Sequence, residues 1–305
     1  MKVVFMGTPD FAVPSLEYLL KQHTVLAVVT QPDRQKGRGK RALPPIVKVR
    51  AQEAGIPVWQ PEKVRTLAED LRALQADVFV VVAFGQILPE TVLSLPRYGC
   101  INVHGSLLPR YRGAAPIQWS LINGEATAGV TSMFMDKGMD TGDMLLRQEM
   151  PILAEDDYGS LAARLAVAGA RVLAQTLEAL EAGTLKRLPQ DPALATYAPR
   201  LTQEMEHVDW TKDAVQIRNL LRGFSPTSGI YTVYQGEKLK LWATEPVEAA
   251  NGRPGEVLAI DKHGFLVCCG RGGLWVREVQ GQGGKRMAAD AWLRGHALPA
   301  GQILE

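Results

Sequence analysis

Two polar side chains stand at the end of an apolar stretch, in Cys100-Ile101-Asn102-Val103-His104. Side chains alternate along a β-strand, so Asn102 and His104 face one way while Ile101 and Val103 face the other. In an open parallel sheet, ligands bind at the carboxyl ends of the strands. An amide and an imidazole at that place could stabilise a developing oxyanion or move a proton. The alternative is structural: a hydrogen-bonded core histidine and an asparagine that makes a turn.

A second polar cluster follows another apolar stretch and contains three carboxylates, Asp136, Asp140 and Asp143. Their spacing does not match a calcium loop, and no neighbouring Cys or His completes a zinc site, so we predict no metal. Capping of turns explains at least two of these acids. One of them could instead orient His104, and the spacing does not identify which.

The elements that must position these residues can be read from the apolar pattern. Strands that are apolar on both faces and alternate with helical segments indicate a mostly parallel sheet covered by helices, and so an α/β fold. Helical spacing predicts helices at residues 14–21, 62–75 and 160–181. The predicted strands are residues 3–6, 25–30, 78–83, 100–104, 129–135 and 144–148.

The second half of the chain has a different character. Residues 188–203 have the turn residues and weak periodicity of a linker, and a helix is expected at residues 214–222. Five short alternating strands then indicate a smaller OB-like β-barrel domain in residues 204–305. These strands are predicted at residues 230–234, 239–244, 255–260, 265–269 and 274–279.

Length and composition fit two globular domains. The chain has 305 residues, 46% of them apolar, which suffices for a sizeable core. No stretch approaches the roughly 18 apolar residues of a membrane span, and residues 1–10 do not resemble a signal peptide, so no membrane association is expected. The cysteines Cys100, Cys268 and Cys269 form neither an even extracellular set nor a CxxC pair. We expect a reduced, cytoplasmic location.

Positive charge is concentrated between Pro32 and Arg50, where the single acid is Asp33. A charge run of this kind is commonly a solvated loop. The alternative is a phosphate-binding arm, because Gly37 and Gly39 let the backbone approach a polyanion. The cations are Arg34, Lys36, Arg38, Lys40, Arg41, Lys48 and Arg50.

Three common chemistries lack their motifs. The stretch GTPDFA at residues 7–12 follows the first strand where a dehydrogenase would carry GxGxxG, and no GxxxxGK[ST] indicates an NTPase. Ser106 lies near His104, but no GxSxG turn surrounds it. Nicotinamide, nucleotide-hydrolysing and serine-hydrolase functions are therefore disfavoured.

The long motif NVHGSLLPRYRG at residues 102–113, followed by DKGMDTGD at 136–143, resembles the signature of the folate-dependent formyltransferases. MGTPDFA at 6–12, the basic stretch from residue 32 to 40 and AAPIQW at 114–119 are similar to the members that act on an aminoacyl-tRNA. The resemblance extends over essentially the whole chain. It implies a Rossmann-like catalytic domain in residues 1–187, joined by the 188–203 linker to the OB-like domain.

The resemblance also implies an activity. The formyl group of 10-formyltetrahydrofolate, a co-substrate, would be transferred to the free amino group of methionyl initiator tRNA, for translation initiation. Asn102, His104 and Asp140 are implied as catalytic residues, with Asn102 and His104 donating hydrogen bonds to the oxyanion and Asp140 bonding His104. A monomer is implied as well.

Substrate-binding residues are carried over in the same way. For Arg110 and Arg112 of the motif, three roles stay open: binding the folate tail, binding the tRNA acceptor end, or holding the loop by hydrogen bonds. The implied folate site comprises Ser106, Leu107, Leu108, Pro109, Phe84, Gly85, Gln86, Ile87 and Leu88. The implied tRNA contacts are Arg34, Lys36, Arg38, Lys40 and Arg41, with a second face among Lys238, Lys240, Arg271, Lys285 and Arg286.

Two alternatives remain. Related formyltransferases act on glycinamide ribonucleotide or on an amino sugar nucleotide, but the first kind lacks the C-terminal module and neither is expected to need the basic loop. From another class, the chain could be a tRNA-binding module with a folded but inactive site. The intact Asn102, His104 and Asp140 argue against that second alternative.

Overall fold

The computed structural model describes residues 1–35 and 42–305, which form two compact units. The first unit comprises Met1–Pro116, Thr127–Pro151 and Ala162–Pro199. The second comprises Ile117–Ala126, Ile152–Leu161 and Arg200–Glu305. Residues 188–199, which the sequence suggests as part of a linker, therefore lie within the first unit.

Up to the end of the long helix, the described residues form nine strands and six α-helices. The strands are β1 (Lys2–Gly7), β2 (Thr24–Val29), β3 (Arg34–Gln35), β4 (Ala42–Leu43), β5 (Val58–Trp59), β6 (Val78–Val82), β7 (Cys100–His104), β8 (Thr127–Phe134) and β9 (Met144–Pro151), among the described residues. The helices of the same described part are α1 (Val13–Gln22), α2 (Ile46–Glu53), α3 (Ala68–Ala73), α4 (Glu90–Leu93), α5 (Pro116–Ile122) and α6 (Tyr158–Glu181).

Seven of these strands form one sheet in the order β5-β2-β1-β6-β7-β8-β9. The pairings from β5 to β7 are parallel, which confirms the mostly parallel, Rossmann-like sheet. The last two strands differ, because β8 and β9 pair antiparallel to their neighbours. The connection between β8 and β9 is too short for the crossover that a parallel pair requires, so these strands form a hairpin.

The two faces of the sheet follow the alternation of the sequence. In β1, Val3 and Phe5 pack into one core with α1, whereas Val4 and Met6 pack into a second core on the other face. All four side chains are fully buried. Burial on both faces is the reason that the strands read as continuous apolar runs. The helix expected at residues 62–75 is divided into a 3₁₀ turn at Val64–Leu67 and α3.

The second unit is built on an antiparallel sheet. Besides most of α5 and the first residues of α6, it contains the helices α7 (Ala214–Phe224) and α8 (Ala289–Leu293). Its sheet has the order β10-β11-β14-β13-β12, with β15 paired to β14. The strands are β10 (Ile230–Tyr234), β11 (Glu237–Val247), β12 (Val257–Asp261), β13 (Gly264–Cys268), β14 (Gly273–Gly281) and β15 (Met287–Ala288).

Residues 302–305 join the two edges of this sheet. Val233 of β10 exchanges backbone hydrogen bonds with Glu305, while Leu304 donates to Gly255 and Val257 of β12 donates to Gln302. The antiparallel sheet is thereby closed, as a small β-barrel requires. In the described ranges, 1–35 and 42–305, no helix is long and apolar enough to cross a membrane.

Candidate active site

Strand β7 carries the first two site residues on one face, as its alternation predicts. Ile101 and Val103 lie in one core, whereas Cys100 lies in the core of the opposite face, the face that Asn102 and His104 share. His104 is buried, with 6% of its surface exposed. Burial of an imidazole requires hydrogen-bond partners, and their positions define the site.

Both ring nitrogens of His104 face groups of the protein. Nε2 lies 2.9 Å from the carbonyl oxygen of Tyr111. Because a carbonyl only accepts, the hydrogen-bond pattern assigns the proton of this pair to Nε2. Nδ1 lies 3.6 Å from Oδ2 of Asp140, which is an ion-pair distance and longer than a hydrogen bond. Asp140 is therefore the acid that faces His104, although no direct hydrogen bond joins the two.

Two of the three acids in the 136–143 loop, Asp140 and Asp136, have separate roles. Oδ2 of Asp140 accepts a hydrogen bond from the backbone N–H of Gly113 at 2.8 Å. Asp136 caps the turn, since its Oδ1 accepts from the N–H of Gly138 at 2.9 Å and from the hydroxyl of Thr141 at 2.6 Å. Within the described residues, no group of three or more His, Cys, Asp or Glu side chains is arranged as metal ligands.

The two residues that meet the His104 ring have unusual backbones. Tyr111 has φ 60° and Asp140 has φ 55°, in the left-handed region that side chains disfavour. This conformation costs about 1–2 kcal/mol for each residue. Such strain persists only where surrounding contacts hold it, and it concentrates at functional sites.

Asn102 differs from His104 in having an open side chain. The residue is half-buried. In the part of the chain that the structure describes, no protein group hydrogen-bonds its side-chain amide. Its cross-strand neighbour on β8 is Met133. The two N–H groups of Asn102 are therefore available to a ligand beside Met133.

The loop after β7 is fixed by internal hydrogen bonds. The hydroxyl of Ser106 donates to the carbonyl of Arg110 at 2.6 Å. Thr131, fully buried on β8, donates to the carbonyl of Ser106 at 2.7 Å and accepts from the N–H of Leu108 at 3.2 Å. Leu108 packs with Met133 in a small cluster. Ser106 and Leu108, expected to bind folate, thus also shape the loop.

A cavity of about 160 Å³ lies beside these residues in the first unit. Asp140 and Met133 line it, and two of its lining side chains, Ile87 and Met139, are 87% and 59% exposed. Large apolar side chains exposed at a cavity are typical of a ligand-binding surface. The full lining is Gln86, Ile87, Leu88, Met133, Met135, Asp136, Lys137, Gly138, Met139 and Asp140.

Some of the residues expected at the folate site line this cavity, and the others lie in the core or the loops around it. Gln86, Ile87 and Leu88 line the cavity, but Phe84 is buried in the core. Gly85 has φ 86°, which a glycine adopts without strain. Leu107 packs against Gly129 of β8, and Pro109 accepts a long backbone hydrogen bond from Thr196.

The side chain of Gln86 is occupied by the protein itself. Its Oε1 accepts from the N–H of Val64 at 2.7 Å, and its Nε2 donates to the carbonyl of Pro61 at 3.0 Å. On the other side of the loop, the hydroxyl of Thr8 donates to the carbonyl of Phe84 at 3.0 Å. These bonds fix the cavity wall.

Part of the basic stretch is neutralised at the surface. Lys48 pairs with Asp33 at 2.8 Å, and hydrogen bonds from Gln60 and Lys48 lower the pKa of Asp33. Arg50 pairs with two glutamates on α1 and α2. Arg34 is exposed and donates to Oε1 of Gln31 at 3.2 Å. The other expected tRNA contacts, Lys36, Arg38, Lys40 and Arg41, lie outside the described residues.

Sequence reasoning missed the segment from Gln190 to Ala198. It runs beside the loop after β7, where the N–H of Arg112 donates to the carbonyl of Thr196 at 2.8 Å and the N–H of Ala198 donates to the carbonyl of Arg112 at 2.7 Å. The hydroxyl of Thr196 accepts from the N–H of Tyr111 at 2.8 Å. Arg112 therefore holds the loop, and nothing in the local pattern of residues 190–198 signals this role.

On the second unit, cations lie over aromatic rings along the outward side of β11. Nζ of Lys238 lies 3.8 Å from the ring centre of Tyr231, and Arg286 lies 5.1 Å from that of Trp242. Lys240 also contacts Trp242, at 5.9 Å. Two of these cations have acidic partners, Glu278 for Arg286 and Glu206 for Lys240, the latter at 3.9 Å. We call the five residues Tyr231, Lys238, Lys240, Trp242 and Arg286 the β11 face.

Comparison with known proteins identifies relatives of both halves. Residues 1–177 match the family model described as formyl transferase, and residues 200–297 match that of the formyl transferase C-terminal domain. The methionyl-tRNA formyltransferase of Geobacter metallireducens is 51% identical over 304 residues, which cover 99% of this chain and 97% of that protein. The methionyl-tRNA formyltransferase of Caldanaerobacter subterraneus subsp. tengcongensis is 50% identical over 310 residues, covering all of both chains.

A solved structure has the same fold. It is an N-formyltransferase from Helicobacter canadensis, in complex with folinic acid and dTDP-3-aminofucose, with a TM-score of 0.68 and 20% identity. The alignment covers 91% of this chain and 99% of that one.

Proposed function

This chain belongs to the formyl transferase family, and we infer that it transfers a formyl group to the amino group of methionyl-tRNA. One observation carries this conclusion: full-length relatives of that function are about half identical to the chain. The sugar-nucleotide-bound structure shares only the fold at 20% identity, so a sugar nucleotide is disfavoured as the acceptor. Glycinamide ribonucleotide is disfavoured because the chain carries the C-terminal domain.

We propose that 10-formyltetrahydrofolate is the formyl donor and that initiator tRNA carries the methionine. The family supports a folate co-substrate, and the solved structure of the same fold holds folinic acid. The cavity beside Met133 offers an apolar wall at Leu88 and Met135, which suits the flat face of a pterin. Backbone N–H and C=O groups of the 136–140 loop, at the edge of the cavity, can hydrogen-bond the nitrogens of the pterin ring.

Asn102 is proposed as the main donor to the reacting oxygen. The amine nitrogen of methionine attacks the formyl carbon, a C–N bond forms, and the formyl oxygen becomes an oxyanion. The open amide of Asn102 donates a hydrogen bond to that oxygen. Strand β7 sets the position of the Asn102 backbone, and one hydrogen-bond donor to an oxyanion contributes about 2.7–4 kcal/mol to the transition state, or 10²–10³-fold in rate.

His104 and Asp140 are proposed to handle the proton. The attacking amine must lose a proton, and the folate nitrogen must gain one as its bond to the formyl carbon breaks. Oδ2 of Asp140 is held by Gly113, and in the described ranges no hydrogen bond reaches Oδ1. Oδ1 can accept the proton of the amine, and the His104–Asp140 pair, in which Nδ1 of His104 faces Oδ2 at 3.6 Å, can then give a proton to the folate nitrogen as its bond to the formyl carbon breaks. General acid–base catalysis of this kind contributes typically 10²–10⁴-fold.

Two surfaces are proposed to bind the tRNA. Arg34, with Lys36, Arg38, Lys40 and Arg41 of the basic stretch, would contact the acceptor end, since clustered cations neutralise phosphates. The β11 face would contact the body of the tRNA, because aromatic rings stack on unpaired bases and cations bond the backbone. Arg271 and Lys285 remain further candidates on the second unit.

The test supplies 10-formyltetrahydrofolate with four acceptors in parallel: methionyl initiator tRNA, methionyl elongator tRNA, glycinamide ribonucleotide and a dTDP-amino sugar. We expect formylation of the initiator at the highest kcat/KM, with little or none of the two small molecules. Binding of tRNA without turnover would instead identify an inactive binding module. Turnover of a small amine alone would overturn the proposed acceptor.

A further inference from the structure

Gln190 uses its whole side-chain amide to join the 136–143 loop to Arg112. Its Nε2 donates to the carbonyl oxygens of Asp140 and Gly142, both at 2.8 Å. Its Oε1 accepts from Nε and Nη2 of Arg112, at 3.0 and 2.7 Å. A primary amide has two N–H donors and two lone pairs, so every hydrogen-bonding position of Gln190 is filled.

Arg112 is an unusual partner for a neutral amide. Only 4% of its surface is exposed, and its described side-chain hydrogen bonds go to Gln190 alone. A buried guanidinium is tolerated when its N–H groups are hydrogen-bonded, and its planar fork suits a single oxygen approached from two sides. The orientation of the Gln190 amide is therefore fixed, with the N–H groups directed at the loop.

The same segment holds the other side of the His104 ring. The hydroxyl oxygen of Thr196 accepts from the N–H of Tyr111, and its carbonyl accepts from the N–H of Arg112. Tyr111 in turn provides the carbonyl that meets Nε2 of His104. Gln190 and Thr196 thus act on Asp140 and Tyr111, the two residues with left-handed backbones that meet the ring.

We propose that Gln190 and Thr196 are positioning residues, which fix Asp140 and Tyr111 on the two sides of the His104 imidazole. Left-handed backbones of non-glycine residues relax unless contacts hold them. A hydrogen bond to the carbonyl of Asp140 restrains the peptide whose rotation would carry its carboxylate away from Nδ1. A bond to the N–H of Tyr111 restrains the neighbouring peptide plane. The inference rests on the proposed function, because its effect is on the rate of formyl transfer.

Two matched variants separate positioning from packing. Gln190→Glu keeps the size of the side chain and an acceptor for Arg112, but it has no N–H to give to Asp140 and Gly142. Thr196→Val keeps the shape of the side chain and removes the hydroxyl that accepts from Tyr111, whereas Thr196→Ser keeps that hydroxyl. Gln175→Glu, at an exposed position of α6, controls for the added charge.

The measurements are kcat, the KM for methionyl-tRNA, the thermal midpoint and the ¹⁵N shifts of the His104 imidazole. We expect Gln190→Glu and Thr196→Val to lower kcat about 10–100-fold with KM within threefold, as for other residues that orient a reactive group. Thr196→Ser and Gln175→Glu should retain kcat within about twofold by the same reasoning. The imidazole signals should move in the two impaired variants only.

Several outcomes would overturn the proposal. The first is a kcat within twofold of the wild type in both Gln190→Glu and Thr196→Val. The second is a rise of KM with kcat unchanged, since that indicates a substrate contact. The third is an equal loss in Thr196→Ser, because the hydroxyl would then not matter. Failure of the proposed function is recognised separately, since the wild-type chain itself would not formylate methionyl-tRNA, and the imidazole signals would still report on the positioning.

Discussion

His104 of the first unit is 6% exposed and both its ring nitrogens face protein groups, whereas Lys238 of the second unit lies at the surface, over the ring of Tyr231. The candidate active site combines the buried His104 with the half-buried Asn102 and Asp140, and two of the residues that meet the His104 ring have left-handed backbones. The β11 face consists of long cationic side chains over aromatic rings, contributed by β10, β11 and the turn before β15. The chemistry proposed for the first region depends on fixed geometry, whereas the recognition proposed for the second depends on charge and surface area, so the two regions should respond differently to substitution.

The largest effect is expected from removing the imidazole. His104→Ala should lower kcat about 10³-fold, because proton transfer by a positioned group contributes that order. Binding of methionyl-tRNA should change less than threefold, since the ring is buried and is not among the residues proposed to contact the tRNA. Single-turnover kinetics and filter binding check the two quantities. His263→Ala, at an exposed turn of the second unit, is the matched control. A variant with near-normal kcat would remove His104 from the catalytic set.

An intermediate effect is expected on the β11 face. Replacing Lys238 and Arg286 together by Gln should raise the KM for methionyl-tRNA roughly 5–20-fold and reduce the slope of log KM against log salt by up to about two, one for each lost phosphate contact. The kcat should not change. Lys212→Gln with Lys262→Gln removes the same charge elsewhere on the unit. If that control shifts KM equally, the β11 face has no special role and the contrast between the regions fails.

The smallest effect is expected for the reactivity of one buried cysteine in each unit, and its measurement tests whether the two cores open equally often. Burial raises the pKa of Cys100 in the first unit and of Cys269 in the second to about 12. At pH 8 each thiol should then carry on the order of 10³-fold less thiolate than an exposed cysteine, and iodoacetamide should leave both unmodified. Peptide mass spectrometry before and after denaturation measures this. Rapid native labelling of only one of them would indicate that its core opens more often.

The sequence predicts the fold well where periodicity and burial coincide. The run at β6 and the alternation in β7 predict both strands, and the side shared by Asn102 and His104 follows from geometry alone. The direction of β8 and β9 is not predicted, because an apolar strand reads alike in both directions and only the short connection between them decides. The closure of the barrel by residues 302–305 is not predicted from the sequence either, because it depends on contacts between segments that are distant along the chain.

The site is predicted less completely than the fold. The motif indicates Asn102, His104 and Asp140, but it does not indicate that Asp140 accepts from Gly113, because this bond depends on the path of two loops. Phe84 and Leu88 lie in the same core cluster, but only Leu88 of the two lines the cavity, and the local sequence does not show that difference. Gln190 and Thr196 lie among turn residues with no periodicity, so their contacts arise only from tertiary packing.

The position of Gln190 and Thr196 bears on how such proteins can be recombined. The two family models match residues 1–177 and 200–297, so the segment that contacts Asp140 and Tyr111 falls between them. A chimera that exchanges the matched regions at residue 177 would combine one parent's His104 loop with the other parent's Gln190. A crossover between Pro199 and Arg200 keeps each loop with the segment it was selected with. If Gln190 and Thr196 position the site as proposed, the segment to exchange in a chimera extends beyond residue 177, where the first family model ends.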